Sequence, residues 1–239
     1  GRRRRRGNMV FEKISTGNTI TKERSAQVGL IVRESTRILE NGPYGEKAVS
    51  PSEIILSPDE KKQLRNGHYR VAISFHYTGT AWAELHEKGI RDELEQYGID
   101  VISVMDAHFD ANLQNMQLQG IRIQKPDAVI AIPADDKMTA DRFRELAAVT
   151  KLVFISNLPE NIGKNSYVSC VSVNEAENGA NAGRMLGEYF RGKPNVKVGL
   201  INHGAIFYGT RERDAAAEKA LDSFPNVEIV TSRGFGQIE

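Results

Sequence analysis

Polar side chains that can hydrogen-bond a small molecule follow almost every predicted strand of this 239-residue chain. They combine carboxylates, amides and imidazoles with aromatic rings, a set suited to hydroxyl groups and flat apolar faces. The candidate ligand-binding residues are His76, Tyr77, Trp82, Asp106, Asp135, Asp136, Asn157, Asn174, His203 and Arg213. In an open parallel sheet, ligands bind beyond the carboxyl ends of the strands. The sequence therefore predicts a ligand site at that edge.

Motifs for other kinds of chemistry are absent from the sequence. No G-x-G-x-x-G run follows the first predicted strand, and neither a G-x-x-x-x-G-K-[ST] loop nor a G-x-S-x-G nucleophile elbow occurs. The five histidines lack metal-ligand spacing, and the single cysteine, Cys170, excludes a multi-thiolate site. We therefore expect no catalytic residue, no metal and no cofactor. Asp135 also suits a second role, as a cap for the helix that follows it.

The elements that must position these residues alternate between strand and helix from Tyr69 onward. The first set comprises strands at Tyr69–Phe75, Asp100–Met105, Ala128–Ile132 and Lys151–Ile155, with helices at Trp82–Tyr97, Ala111–Gln124 and Thr139–Val149. Strands and helices that alternate at this length imply right-handed crossovers and a parallel sheet covered on both faces.

The alternation restarts near Tyr167. The second set comprises strands at Tyr167–Val173, Val196–Ile201 and Val227–Thr231, with helices at Ala176–Arg191 and Thr210–Asp222. Gly179, Gly183 and Gly187 share one face of the first of these helices, which indicates close packing on a sheet. The predicted fold is α/β, with two doubly wound parallel-sheet (Rossmann-like) domains at 68–172 and 173–239. Because such domains need about 100–150 residues each, we expect the second to be truncated.

Residues 1–67 differ in composition from the rest of the chain. They hold fourteen Lys/Arg and eight Asp/Glu, whereas the remainder holds eighteen and twenty-three. The acidic remainder argues against nucleic acid as a partner, because phosphate binding needs a basic face. The predicted extension is basic and partly helical: a tail over 1–20, a helix over Ser25–Leu39, and Ser-Pro-x-Glu helix starts at Ser50 and Ser57. No apolar run is long enough to span a membrane, and no signal-peptide core follows Arg2–Arg6.

Six segments, taken in order, resemble type I periplasmic binding proteins of the ribose and sugar-binding group. They begin at Val71-Ala-Ile-Ser-Phe and continue through DAHFDANLQNMQLQGI (106–121), KPDAVIAIPADD (125–136), KLVFISNLP (151–159), VNEAENGANAGRMLGEYF (173–190) and INHGAIFYGTRERDAAAEKAL (201–221). The resemblance covers roughly 68–239 and implies two α/β domains that close on a small sugar or polyol in an interdomain cleft. It further implies the substrate-binding component of an ABC importer, with a membrane permease as partner, on the periplasmic or extracellular side.

The same resemblance implies roles for individual residues. Trp82 matches the family's stacking aromatic, Asp135 or Asp136 its polar pair, Asn174 lies near the first hinge crossover, and Arg213 matches the second-domain arginine. Phe235 matches a second aromatic and completes the candidate binding set. Ser156-Asn157 stands where many relatives have Asp-Arg, so pentose-type recognition is in doubt. The structural alternatives are core packing for Trp82 and Phe235, and for Arg213 a solvated side chain or a salt bridge to Glu212 or Asp214.

Two other function classes remain open at this point. The same core serves as the effector domain of LacI-type repressors, so a sugar-responsive transcriptional regulator is the main alternative; it requires a helix-turn-helix within 1–67. The third class is an enzyme such as a small Rossmann-like hydrolase or epimerase, which would be favoured if changing Asp106 or Asp135 to Asn abolished turnover and left binding intact. Since no nucleophile, cofactor or metal motif supports catalysis, we expect a binding protein rather than an enzyme.

Overall fold

The computed structural model describes residues 46–50, 53–204 and 207–235. The predicted tail over 1–20, the predicted helix over Ser25–Leu39 and the centre of the first Ser-Pro-x-Glu start, 51–52, lie outside the described residues. The elements, in chain order, are α1 Pro58–Asn66, β1 Arg70–Phe75, α2 Ala81–Glu95, β2 Asp100–Asp106, α3 Ala111–Gln124, β3 Ala128–Ala131, α4 Ala140–Ala147, β4 Lys151–Ile155, β5 Ser169–Val171, α5 Glu175–Tyr189, β6 Val196–His203, α6 Tyr208–Asp222 and β7 Val227–Phe235. The alternation predicted from the sequence is confirmed.

Helix α1 begins with the capping box that its sequence predicts. The Glu60 amide donates to the Ser57 hydroxyl over 3.3 Å, and the Ser57 amide donates to the Glu60 carboxylate over 2.7 Å. At the first Ser-Pro-x-Glu start, the Ser50 amide likewise donates to the Glu53 carboxylate over 3.2 Å. At both starts, the glutamate side chain accepts a backbone amide that the i to i−4 hydrogen bonds of a helix would leave without a partner.

The described residues fall into two compact units. The larger unit holds the described residues up to Ser172 together with 201–204, 207–211 and 233–235, and the smaller unit holds 173–200 and 212–232. The predicted division into 1–67, 68–172 and 173–239 stays a prediction.

A five-stranded sheet with the order β2-β1-β3-β4-β5 forms the centre of the larger unit, and all its pairs are parallel. Strand β5 was predicted to restart the alternation, but it is shorter than predicted and completes this first sheet beside β4. Five consecutive residues of β1, Val71 to Phe75, are buried, as expected for a strand covered on both faces. The parallel sheet therefore brings the ends of β1, β2, β3 and β4 to one edge.

Two apolar clusters cover the faces of this sheet. One gathers side chains of α3 and α4, including Leu118, Ile121, Phe143 and Leu146. The other packs Ile73, Phe75 and Ala83 with Ile132 and Ile155. Phe143 and Phe154 meet edge to face with ring centroids 5.2 Å apart. This packing makes the sheet a rigid base for the loops at its carboxyl edge.

The smaller unit is organised by a glycine face on α5. A Cβ added at Gly179 would lie 1.9 Å from the carbonyl oxygen of Arg213, and one at Gly183 would lie 2.5 Å from that of Ala217. A Cβ at Gly187 would lie 2.3 Å from the Phe224 ring. The expectation that these glycines pack on a sheet is therefore wrong: they allow α5 to approach α6 and the residues that follow it. Strands β6 and β7 pair with each other in a separate two-stranded sheet.

Candidate functional site

Asp106, the last residue of β2, organises the loops at the carboxyl edge of the sheet. Its carboxylate accepts the backbone amide of Thr78 over 3.1 Å and that of His108 over 2.8 Å, and it also accepts the Thr78 hydroxyl. Partial burial raises the pKa of Asp106, but the hydrogen bonds from Thr78 and His108 outweigh burial, and the pKa is lowered. Asp106 was predicted to bind ligand; in the structure its carboxylate ties the β1–α2 loop to the β2–α3 loop.

Phe109 lies at the centre of an aromatic cluster that the sequence analysis did not identify. Its ring stacks on Tyr77 with centroids 5.0 Å apart, and it meets His76 edge to face at 4.9 Å. Its amide donates to the His76 carbonyl over 2.7 Å. Phe109 and the preceding His108 both have positive φ, 59° and 48°, a conformation that L-residues seldom adopt. The only sequence signal for Phe109 was its place next to His108, directly after β2.

His76 is enclosed by aromatic rings. Besides Phe109, the rings of Trp82 and Phe207 lie nearly perpendicular to the His76 ring, with ring centroids 6.4 and 6.0 Å from its centroid. Its Nδ1 is buried without a hydrogen-bond partner among the described residues. Burial, together with His203, lowers the pKa of His76 from 6.5 to about 4 against the opposing effect of Asp106. His76 is therefore a neutral imidazole at pH 7, and its Nδ1 is a buried polar atom that no described residue satisfies.

Gln114 is a second residue that sequence reasoning missed. It is fully buried on α3, where its side-chain amide donates to the Ser74 hydroxyl over 3.1 Å and to the Ile132 carbonyl over 3.0 Å. Its carbonyl oxygen accepts the Ala134 amide over 2.7 Å. Gln114 thus joins the ends of β1 and β3, so it fixes the loop that begins at Ala134. A glutamine inside a helical pattern gives no sequence signal for this role.

The two adjacent aspartates after β3 have different environments. Asp135 accepts the amides of Lys137 and Met138 over 2.8 and 2.7 Å, so it caps the turn that leads into α4. Asp136 is buried, and its carboxylate lies 3.4 Å from the Arg211 guanidinium. Burial raises the pKa of Asp136 despite Arg211. The capping role considered for Asp135 is thus present, although in the turn before the helix rather than at its N-cap, Thr139.

Two amide side chains from the predicted set accept hydrogen bonds from the backbone. Asn157 is buried, and its oxygen accepts the Gly209 amide over 3.3 Å. Asn174 is the N-cap of α5, and its oxygen accepts the Glu177 amide over 2.8 Å. Both oxygens therefore stabilise local structure.

Arg213 forms an ion pair that the sequence analysis did not anticipate. Its Nε lies 2.8 Å from the carboxylate of Glu175, whose side chain is 6% exposed, while the Arg213 side chain is 45% exposed. The partners proposed from the sequence, Glu212 and Asp214, are not the ones that this geometry selects. Glu175 and Arg213 both belong to the smaller unit.

The remaining predicted residues lie at strand ends and near solvent. His203, the last residue of β6, contacts Phe109 and Phe207 with ring centroids 6.0 and 5.6 Å away. Phe235 is 53% exposed, and Trp82 is 44% exposed. Core packing, the structural alternative for Phe235 and Trp82, is therefore wrong. Of the eleven predicted residues, His76, Tyr77, Trp82 and His203 belong to the aromatic cluster around Phe109.

Two further features bear on what the described residues can do. No three His, Cys, Asp or Glu side chains among them lie close enough together to hold a metal ion. None of the helices in the described ranges is both long and apolar enough to cross a membrane.

Residues 71–237 match the family described as the periplasmic binding protein domain. No curated protein sequence gives a significant match. Solved structures with a similar fold include a carbohydrate transporter solute-binding protein from Agrobacterium radiobacter in complex with D-arabinose, which is 17% identical with a TM-score of 0.62 over 70% of this chain and 57% of its own. Another is a Caulobacter myo-inositol binding protein bound to myo-inositol, 20% identical with a TM-score of 0.62 over 71% of this chain and 56% of its own.

A third is the periplasmic binding component of the arabinose ABC transporter of Shewanella sp. ANA-3, bound to L-arabinofuranose, which is 19% identical with a TM-score of 0.62 over 69% of this chain and 54% of its own. The chain thus spans little more than half the length of these three structures, and at this identity they establish the fold alone. The family match covers more than half of the sequence, and the structure has the parallel sheet and helices of an α/β fold, as the resemblance implies. This chain belongs to the periplasmic binding protein family, with the type I α/β fold.

Proposed function

We propose that this chain binds a small sugar or polyol at the carboxyl edge of its five-stranded sheet. The observation that carries the proposal is an aromatic cluster at this edge: Trp82, Phe109 and Phe207 contact the His76 ring, and Tyr77 stacks on Phe109. Within it, the buried Nδ1 of His76 has no hydrogen-bond partner among the described residues. Sugars have apolar C–H faces that pack on aromatic rings and hydroxyl groups that hydrogen-bond an imidazole nitrogen. The sugars in the related structures support this choice of ligand class.

Isothermal titration calorimetry against a defined panel tests the proposal. The panel is D-arabinose, L-arabinose, D-ribose, D-allose, D-tagatose and myo-inositol, and the expected result is saturable binding of at least one of them. Phe109→Leu should weaken that binding by roughly two- to tenfold, because an aromatic contact contributes roughly 0.5–1.5 kcal/mol beyond its buried area. Tyr189→Leu is the matched control, since Tyr189 is an exposed aromatic of the other unit. Absence of heat and of thermal stabilisation with every panel member would refute the proposal.

The same proposal assigns the chain to solute uptake rather than catalysis. A protein of this family would deliver its sugar to the membrane permease of an ABC transporter on the periplasmic or extracellular side. Two measurements test this role: the sugar-loaded chain should raise ATP hydrolysis by a reconstituted sugar ABC transporter of its own cells, and NMR should show that bound sugar is released unchanged. ATP hydrolysis that does not respond to the loaded chain, or a chemically altered sugar, would argue against it.

A further inference from the structure

The strand at one edge of the larger unit's sheet carries no charge of its own. Strand β5 is the last in the order β2-β1-β3-β4-β5, and the run that contains it, YVSCVS from Tyr167 to Ser172, has no charged residue, no proline and no glycine. Uncharged runs of this kind with high β-propensity tend to pair with further strands at a sheet edge. Strand β2, at the opposite edge, begins and ends with an aspartate. The β5 edge therefore requires protection from elsewhere in the chain.

Residues 46–50, which precede α1, supply a charge at this edge, and we call them the strap. The Tyr167 hydroxyl donates to the Glu46 carboxylate over 2.5 Å. Tyr167 is itself fixed, since its ring packs on the apolar cluster of α3 and α4 and meets Phe154 with centroids 6.0 Å apart. Lys47 forms an isolated β-bridge, so the strap is extended directly after Glu46. The strap is thus attached to the larger unit beside β5.

The Cys170 thiol gives a second sign that Glu46 lies against β5. Cys170 is the middle residue of this strand, and its side chain packs on the same apolar cluster as Tyr167. Burial raises the pKa of the thiol to about 12, and the Glu46 carboxylate acts in the same direction. Because the effect of a charge falls with distance, the Glu46 carboxylate lies near the centre of β5 as well as near Tyr167.

The chain that follows the strap contacts the larger unit at a second place. The Arg65 guanidinium, near the end of α1, lies 5.6 Å from the centroid of the Tyr97 ring, just after α2. A cation over an aromatic face is a favourable contact. A segment that is held at both ends loses less conformational entropy when it lies along the sheet, which favours the closed strap.

We propose that residues 46–50 form a strap that closes the β5 edge, anchored by Glu46 on Tyr167, and that the strap prevents β5 from pairing with β5 of a second copy of the chain. It acts by position and by charge. Two copies that pair about a two-fold axis place identical groups together, so each Glu46 carboxylate would approach the other. The inference is independent of the proposed function, because no ligand takes part in it.

The reactivity of Cys170 tests the strap in the full chain. Cys170 is the only cysteine of the sequence, so its reaction with dithiobisnitrobenzoate reports on one thiol. Tyr167→Phe removes the anchoring hydrogen bond but keeps the Glu46 charge. It should speed the reaction about tenfold, because a hydrogen bond to a charged group no longer holds the strap closed. Tyr97→Phe is the matched control: the Tyr97 hydroxyl makes no hydrogen bond among the described residues, and its removal should change the rate by less than twofold.

The dependence of this reaction on urea separates strap opening from unfolding. Opening the strap exposes little surface, so the reaction rate of Tyr167→Phe should rise only weakly with urea below the unfolding transition. A rate equal to that of the unaltered chain would overturn the strap. A rate that rises as steeply as global unfolding requires would overturn it too, whether or not the variant is less stable.

Sedimentation velocity under reducing conditions tests the protection of the edge. Glu46→Ala removes both the anchor and the charge, and it should form concentration-dependent dimers that the unaltered chain lacks at the same concentration. Glu95→Ala, the matched control, removes an exposed carboxylate of α2 and should sediment like the unaltered chain.

A second substitution on β5 identifies the surface through which the dimers form. Val171 is an exposed residue of β5, so adding Val171→Lys to Glu46→Ala restores a charge to the edge and should abolish the dimers. Sedimentation of Glu46→Ala like the unaltered chain, or dimers that persist with Val171→Lys, would overturn the protective role.

Discussion

The contact between α5 and α6 provides the sharpest test of how the smaller unit is packed. Gly179→Ala adds one methyl group at a point where the nearest atoms are the carbonyl oxygen, carbonyl carbon and Cα of Arg213, at 1.9, 2.7 and 2.9 Å. All three are backbone atoms, so no side-chain rotation can relieve the clash. Restoring an ordinary contact of 3.4 Å requires the two segments to separate by about 1.5 Å.

The expected loss of stability follows from two opposing effects. Overpacking of a well-packed interface typically costs about 1–3 kcal/mol, and a backbone obstacle places this change at or above the upper end of that range. Alanine in place of a helical glycine contributes about 1 kcal/mol in the opposite direction. We therefore expect Gly179→Ala to lower the free energy of unfolding by about 2 kcal/mol or more.

Urea unfolding followed by circular dichroism measures this change, and the chain supplies its own control. Gly89 on α2 is also a helical glycine, but a Cβ there would meet nothing within 4 Å. Gly89→Ala should therefore raise the free energy of unfolding by about 0.5–1 kcal/mol. If Gly179→Ala is as stable as the unaltered chain, α5 and α6 do not approach at Gly179 as closely as described, and the explanation of the glycine face is wrong.

Two further predictions concern the carboxyl edge of the sheet. Gln114→Leu leaves the polar partners of its three hydrogen bonds unsatisfied in a buried site, so it should lower the free energy of unfolding by about 3 kcal/mol. In the same urea assay, the control Gln119→Leu on the exposed side of α3 should change the free energy of unfolding by less than about 0.5 kcal/mol. Similar losses for the two variants would contradict the role given to Gln114. The pKa of His76 falls from 6.5 to about 4 on folding, so the unfolded chain binds more protons than the folded chain between these pH values. The stability that His76 contributes by staying neutral is fully present above pH 6.5, and the free energy of unfolding should decrease by roughly 3 kcal/mol as the pH falls to 4. His76→Gln should remove that part of the pH dependence, and an unchanged profile would show that His76 is not buried as a neutral group.

The order of elements could be predicted because its signals are local. Buried strands such as Val71 to Phe75 show as short apolar runs, and a helix start such as Ser57 shows as a capping residue. Which strand pairs with a given strand, and which segment packs on a glycine face, depend on residues that are distant in the sequence. The sequence therefore assigned β5 to the second set of elements, whereas β5 joins β4 in the first sheet, and it led to a sheet rather than α6 as the partner of Gly179.

The candidate site was predicted by residue type and location, and this signal cannot distinguish ligand contact from internal hydrogen bonding. Asp106, Asp135, Asn157 and Asn174 all lie near the predicted ends, yet their oxygens accept backbone amides. Loops that leave strands expose amides without partners, and short oxygen-bearing side chains satisfy them. The same residue types are thus favoured there with or without a ligand.

These internal hydrogen bonds bear on ligand binding through the aromatic rings. Phe109 has φ of 59°, a conformation that costs a non-glycine residue about 1 kcal/mol or more, so its loop needs stabilising contacts to remain in place. Asp106 supplies them by joining Thr78 to His108, and the Phe109 amide adds a bond to the His76 carbonyl. The chain itself therefore holds the rings in place, and for the sugar proposed to bind there this lowers the entropy lost on binding. Under the proposed function, the Asp106 carboxylate contributes to the affinity for the sugar by setting where the aromatic faces lie.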